Sequence, residues 1–136
     1  MPQVDVLQEM FVAAAPVLVV RRLCRPGTRR ELWPDLRVTL SEDRGVAGQR
    51  YLVSGDWRGS AELWLPACAD GVLVHSYLRL DPPDTVTLSA RRCRREQRRR
   101  AAWLRRALWR LKDELESDRA VGEPAVPVRP DPTAAR

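Results

Sequence analysis

Residues 60–80 read SAELWLPACADGVLVHSYLRL. Two runs of alternating apolar residues flank Asp70-Gly71. That dipeptide favours a two-residue hairpin loop, because a type I′ turn needs φ > 0 at both central positions. A loop there pairs Ala69 with Val72. Counting outward then pairs Leu65 with Ser76, Trp64 with Tyr77, Leu63 with Leu78 and Glu62 with Arg79. Side chains alternate across a strand, so the hairpin has two unlike faces. One carries Leu63, Leu65, Ala67, Val74, Ser76 and Leu78; the other carries Glu62, Trp64, His75, Tyr77 and Arg79. The first face needs a cover.

The C-terminal third supplies one. Leu104, Leu108, Leu111 and Leu115 recur at helical spacing, so they form one stripe on a helix predicted over Ser89–Ala120. Cys93, Gln97 and Ala101 extend the stripe less well, and Gly122 can end the helix. Upstream, a strand is expected over Val4–Val12 and a helix from Pro16 to about Leu23, with proline well placed in the first turn. Pro26-Gly27 breaks that helix, Thr28 can cap a second short one through Trp33, and Pro34 closes it. Leu36, Val38 and Leu40 alternate with Arg37, Thr39 and Ser41 in a second strand, and Glu42–Gly48 is a turn. A third strand, Gln49–Asp56, turns Tyr51 and Val53 to the apolar side and Arg50, Leu52 and Ser54 to the other. A Trp57-Arg58-Gly59 loop with Gly59 left-handed keeps it in phase with a fourth strand, Ser60–Ala67. Val72–Leu80 is the fifth strand and Pro82-Pro83 ends it. Thr85–Leu88 is either a short sixth strand or the lead into the helix.

The fold class is therefore α+β: an antiparallel sheet wrapped around a long C-terminal helix, with two short helices after the first strand. One domain is expected over 3–120 and a disordered Pro-rich tail over 121–136. The helix is too small to cover five strands at both ends, so an internal cavity is expected.

Composition narrows the class. The chain has 136 residues, 44% hydrophobic and 31% charged, as in ordinary globular domains. Net charge is +6, and Lys112 is the only lysine among 24 basic residues. So strong an arginine bias is expected of GC-rich, actinobacterial coding, and part of the basic character is a codon effect. Three cysteines without a C-x-x-C, beside the single His75, fit neither structural zinc nor a disulfide framework. No metal or cofactor is expected, and a reducing cytoplasm is the expected compartment. The apolar run Met10–Val20 is too short to span a bilayer and has acids, not bases, before it.

Glu62, His75, Tyr77 and Arg79 are the one acid–base constellation, with His75 and Glu62 as candidate catalytic residues. They fall on the polar face, where surface cross-strand pairing is the plainer reading. Candidate ligand-binding residues lie on the other face: Trp33, Tyr51, Val53, Leu63, Leu65, Val74, Ser76 and Leu78, with Leu104 and Leu108 from the helix. From Arg91 to Arg110 the chain has ten arginines against Glu96 alone. Such a run can neutralise phosphates or anionic lipid heads, and Trp64 and Tyr77 could stack on RNA bases. A solvated helix face is the plainer reading, so nucleic acid and membrane surfaces stay open as partners without being the expected ones. The basic half of this helix precedes its acidic half, Asp113, Glu114, Glu116 and Asp118, against the preference of the helix dipole. Trp109 lies about 140° from Leu104 at helical spacing, grouped with Arg105, Lys112 and Glu116. An antiparallel homodimer through this face would cover it; so would the chain's own Pro-rich tail.

The order of strand, two short helices, antiparallel sheet and long helix resembles the helix-grip fold of the START-like (SRPBCC) superfamily. More narrowly, several stretches look like a small actinobacterial group labelled polyketide cyclase/dehydrase-like. These are Leu32-Trp33-Pro34-Asp35-Leu36, Glu42-Asp43-Arg44-Gly45, Glu62-Leu63-Trp64-Leu65, Asp70-Gly71 with His75, and Trp109 with Lys112-Asp113-Glu114-Leu115-Glu116. The likeness runs from about Val4 to Ala120 and implies binding of a small hydrophobic molecule, lipid- or polyketide-like. Cyclase or aromatase chemistry through His75 and Glu62 is the alternative it implies.

Overall fold

A computed structural model describes residues 2–83, 86–120 and 122–128. The elements are β1 (Val4–Val12), α1 (Pro16–Leu23), α2 (Thr28–Leu32), β2 (Arg37–Asp43), β3 (Gly48–Ser54), β4 (Arg58–Trp64), β5 (Ala67–Cys68), β6 (Gly71–Asp81) and α3 (Ala90–Leu115). The strands form one antiparallel sheet in the order β1-β6-β4-β3-β2, and β5 continues alongside β6. Alternation places Val4, Val6, Val12, Tyr51, Val53, Leu63, Val74, Leu78 and Leu80 on the inner face, all buried. Leu104, Ala107, Leu108 and Leu111 of α3 close over them in one continuous apolar core. Removing each such leucine or valine from water is worth about 1.5–3 kcal/mol.

The hairpin register differs from expectation by two residues. Leu63 pairs with Ser76, Trp64 with His75 and Glu62 with Tyr77. The turn sits one residue earlier, between the paired Cys68 and Gly71, and Ala69 takes the positive φ of 52°. Gly71 is needed for another reason: a Cβ there would lie 2.3 Å from the Val12 carbonyl oxygen, so its missing side chain lets β1 approach β6. An even shift leaves the paired side chains of β4 and β6 on their expected faces, whereas a one-residue slip would have exchanged them. Pro66 cannot donate to the ladder, and it separates β4 from β5. Ala67, expected inside, lies exposed on β5.

The β3–β4 loop also differs. Gly55, at φ 96°, makes the turn, while Gly59 pairs with Val53 inside β4. A Cβ on Gly59 would sit 1.8 Å from the Arg79 carbonyl oxygen, so strand proximity selects this glycine. Thr28 does not cap α2 but begins it. Its hydroxyl donates to the Arg22 carbonyl and accepts from the Arg22 guanidinium, at 2.7 and 2.8 Å, tying α2 to α1.

Ser89 caps α3 by accepting from the Arg92 amide at 3.2 Å. Val86–Ser89 lead into the helix without strand structure, and Thr85 lies outside the described residues. The helix stops at Leu115 rather than Ala120, and beyond it the Glu116 carboxylate accepts from the Ala13 amide at 3.0 Å and pairs with Lys112. Part of the expected disordered tail is attached to the sheet. Val126 bridges Ala14, accepting from the Ala15 amide and donating to the Ala13 carbonyl. The Ala125 amide donates to Asp70 at 2.8 Å. Val121 and residues 129–136 lie outside the described residues.

Candidate functional site

The ten residues expected to line a ligand site come together. Trp33, Tyr51, Val53, Leu63, Leu65, Val74, Ser76, Leu78, Leu104 and Leu108 are all buried. The Trp33 and Tyr51 rings meet edge to face at 5.5 Å between centroids. Tyr51 donates its hydroxyl to Gln49 at 2.8 Å, and the Arg29 guanidinium lies 5.1 Å over its ring. Burial pushes the Tyr51 phenol well above its usual range. Burial, with help from the Asp43 carboxylate, pushes the nearby Cys24 thiol up to about 11, so it stays protonated and unreactive.

Among the described residues three buried polar atoms in this region have no hydrogen-bond partner; one, Arg29 Nε, belongs to the guanidinium over Tyr51. Trp33 Nε1 and Ser76 Oγ are buried without a hydrogen bond, in residues 2% and 0% exposed. Ser76 stands on β6 between Gln8 of β1 and Leu63 of β4. Trp33 also lines a small hollow of about 120 Å³ with Leu32, Pro34, Asp35, Arg100 and Trp103. Where the sequence predicts an internal cavity, the inner face of the sheet and α3 share one apolar core, and this hollow opens at its margin.

The acid–base candidates lie on the opposite, outer face. Glu62, Tyr77 and Arg79 border a groove of about 260 Å³ with Arg50, Ser41 and Ser60. Glu62 is held by Arg44 at 2.9 Å and Arg50 at 3.5 Å and stands opposite Tyr77, not Arg79. His75 is outside that groove and only 8% exposed. Its ring stacks on Trp64 at 4.7 Å and Tyr77 at 6.2 Å. Its Nδ1 lies 3.3 Å from the Glu9 carboxylate without a hydrogen bond. Glu62 and His75 are thus engaged separately, facing away from α3.

Sequence reasoning missed a buried arginine. Arg100, 6% exposed, makes a two-bond clamp on Asp35 at 3.0 and 2.9 Å. It also donates to Glu96 at 3.2 Å and lies 5.4 Å over the Trp57 ring. Burial opposes the charge on Asp35, but the Arg100 hydrogen bond and charge outweigh it and lower its pKa. Glu96 is lowered in the same way, with Arg99 its main partner against burial. The signal was in the spacing: Arg100 falls four residues before Leu104, on the stripe itself.

At its C-terminal end, α3 uses its acids within the molecule. Glu114 pairs with Arg22 at 2.9 Å, and Glu116 with Lys112 and Arg119. Trp109 remains 47% exposed. Acids already engaged in this way weaken the charge pairing that an antiparallel dimer through α3 would draw on.

No protein-family model and no curated protein sequence matches the chain. Solved structures do. DR_A0006 from Deinococcus radiodurans superimposes with a TM-score of 0.63 at 15% identity, over 84% of this chain and 98% of that one. The Aha1 dimer from Colwellia psychrerythraea gives 0.58 at 13% identity, over 86% and 99%. TTHA0849 from Thermus thermophilus gives 0.52 at 13% identity, over 85% and 99%. At such identities the likeness concerns the fold alone, and that fold is the START-like helix grip: an antiparallel sheet closed around a long C-terminal helix.

Proposed function

We propose that the protein binds a small, mainly apolar molecule between the inner face of the sheet and α3. The observation that carries this reading is the pair of polar atoms, Trp33 Nε1 and Ser76 Oγ, without a partner among the described residues in a mainly apolar core. Buried polar atoms are nearly always hydrogen-bonded, and leaving one unpaired costs about 1–3 kcal/mol. A ligand with one or two oxygens on an apolar body would satisfy both atoms while its body replaced side-chain contacts. Trp33 reaches the surface hollow beside Trp103, which makes that margin the natural entrance. The sequence likeness to the polyketide cyclase/dehydrase-like group favours a lipid- or polyketide-like ligand, held without chemistry by a cytoplasmic protein.

Titration with 8-anilinonaphthalene-1-sulfonate, an apolar anionic dye, tests this reading. Saturable fluorescence enhancement displaced by a medium-chain fatty acid, and lost in Ser76→Leu of unchanged circular dichroism, is the expected result. A native wild-type protein that gives no saturable enhancement contradicts it.

A further inference from the structure

We infer that the exposed ridge of α3 binds the phosphodiester backbone of nucleic acid without sequence selectivity. Seven arginines of this helix, Arg91, Arg92, Arg94, Arg95, Arg98, Arg105 and Arg106, are exposed. None has an ion pair or side-chain hydrogen bond among the described residues. At about 100° per residue they fall within one broad arc, opposite the stripe of Leu104, Leu108 and Leu111. Trp109 continues that arc toward the C-terminal end, where it is exposed.

Codon bias does not account for the placement. Elsewhere several arginines are matched with acids, Arg22 with Glu31 and Glu114, and Arg44 and Arg50 with Glu42 and Glu62, and those without an ion pair among the described residues, such as Arg21, Arg30 and Arg37, do not form a ridge of this length. Residues 91–110 carry +9 against +6 for the whole chain, so the remainder is net −3. Within the ridge the guanidinium groups repel one another, and those nearest the helix N-terminus also oppose its dipole. The fold gains no ion pair from them among the described residues, whereas a polyanion would reverse both penalties. The seven span residues 91–106, a straight run of about 24 Å at the α-helical rise, long enough to follow several phosphates. A bilayer fits less well, because insertion needs an apolar helix face, and that face of α3 is closed against the sheet.

Fluorescence anisotropy of a short labelled DNA duplex tests the inference. Wild-type protein should bind at about 50 mM salt and lose about 10³-fold or more in affinity by 200 mM, as expected for six or more phosphate contacts. The triple variant Arg91→Gln, Arg95→Gln, Arg98→Gln should keep its circular dichroism and thermal midpoint. It should flatten the log–log salt slope by about 0.9 for each phosphate that is no longer neutralised. Arg30→Gln with Arg37→Gln, exposed arginines on α2 and β2, should leave the slope unchanged. Absence of duplex binding at low salt, or an unchanged slope in the triple variant, overturns the proposal. So does capture by phosphatidylserine vesicles with the duplex left free, or a wild-type dimer that Trp109→Glu dissociates.

Discussion

The two faces of the sheet treat polar groups differently. On the outer face, Glu62 is shared by two arginines and His75 is stacked between two rings. Both look like acid–base chemistry in the sequence, yet Glu62 is held by ion pairs, and His75 by ring stacking with its Nδ1 beside Glu9 but without a hydrogen bond among the described residues. On the inner face most side chains are apolar; Tyr51 and Gln49 bond one another, while Trp33 Nε1 and Ser76 Oγ have no hydrogen-bond partner among the described residues. A polar residue type therefore says little about function here; whether its atoms are satisfied, and whether they face the core or the outer surface, says more.

The comparison breaks most sharply with one substitution on each face. Leu63→Arg places an unpaired charge in the core and should abolish cooperative unfolding, a loss of about 4 kcal/mol or more. Glu62→Ala should cost about 1 kcal/mol or less, as expected of exposed pairs. Urea denaturation of both variants measures this, and the reverse ranking would mean that the faces are exchanged.

That ranking was available from the sequence, although the register was not. Asp70-Gly71 marks the hairpin, but the glycine answers to β1, whose Val12 carbonyl approaches it from another strand. A local turn rule cannot see that contact. The assignment of faces survived because the displacement was even. The Arg100–Asp35 clamp was invisible for a similar reason: its partners are 65 residues apart, and arginine is rarely fully buried. The attachment of Val126 beside Ala14 was hidden behind a proline-rich composition.

The clamp gives the next effect in size. Asp35→Asn removes the charge that meets Arg100 and should cost about 1.5–3 kcal/mol, the range for hydrogen bonds to charged groups. Asp35, Glu96 and Glu116 are lowered because basic partners outweigh burial, and Glu31 chiefly because Arg22 donates to it. A lowered carboxyl pKa contributes stability above its unfolded value, near 4, and loses it as pH falls through the folded value. Stability should therefore be nearly flat from pH 7 to about 5 and fall below about pH 4. Asp35→Asn should make the fall shallower. Urea midpoints across this range measure it, and an unchanged slope would remove Asp35 from the account.

The smallest effect sharpens the comparison from inside. Ser76→Ala deletes a buried hydroxyl without a partner, so the ligand-free protein should gain about 1 kcal/mol. Loss of stability on calorimetry would mean that the hydroxyl is bonded in solution and is not reserved for a ligand.

Native mass spectrometry of the protein purified from its own source tests ligand binding most directly. The account predicts a retained small apolar adduct of one-to-one stoichiometry, reduced in Ser76→Leu and unaffected by Glu62→Ala. Bare polypeptide mass under gentle ionisation, with no adduct recovered after exposure to a lipid extract, would contradict it.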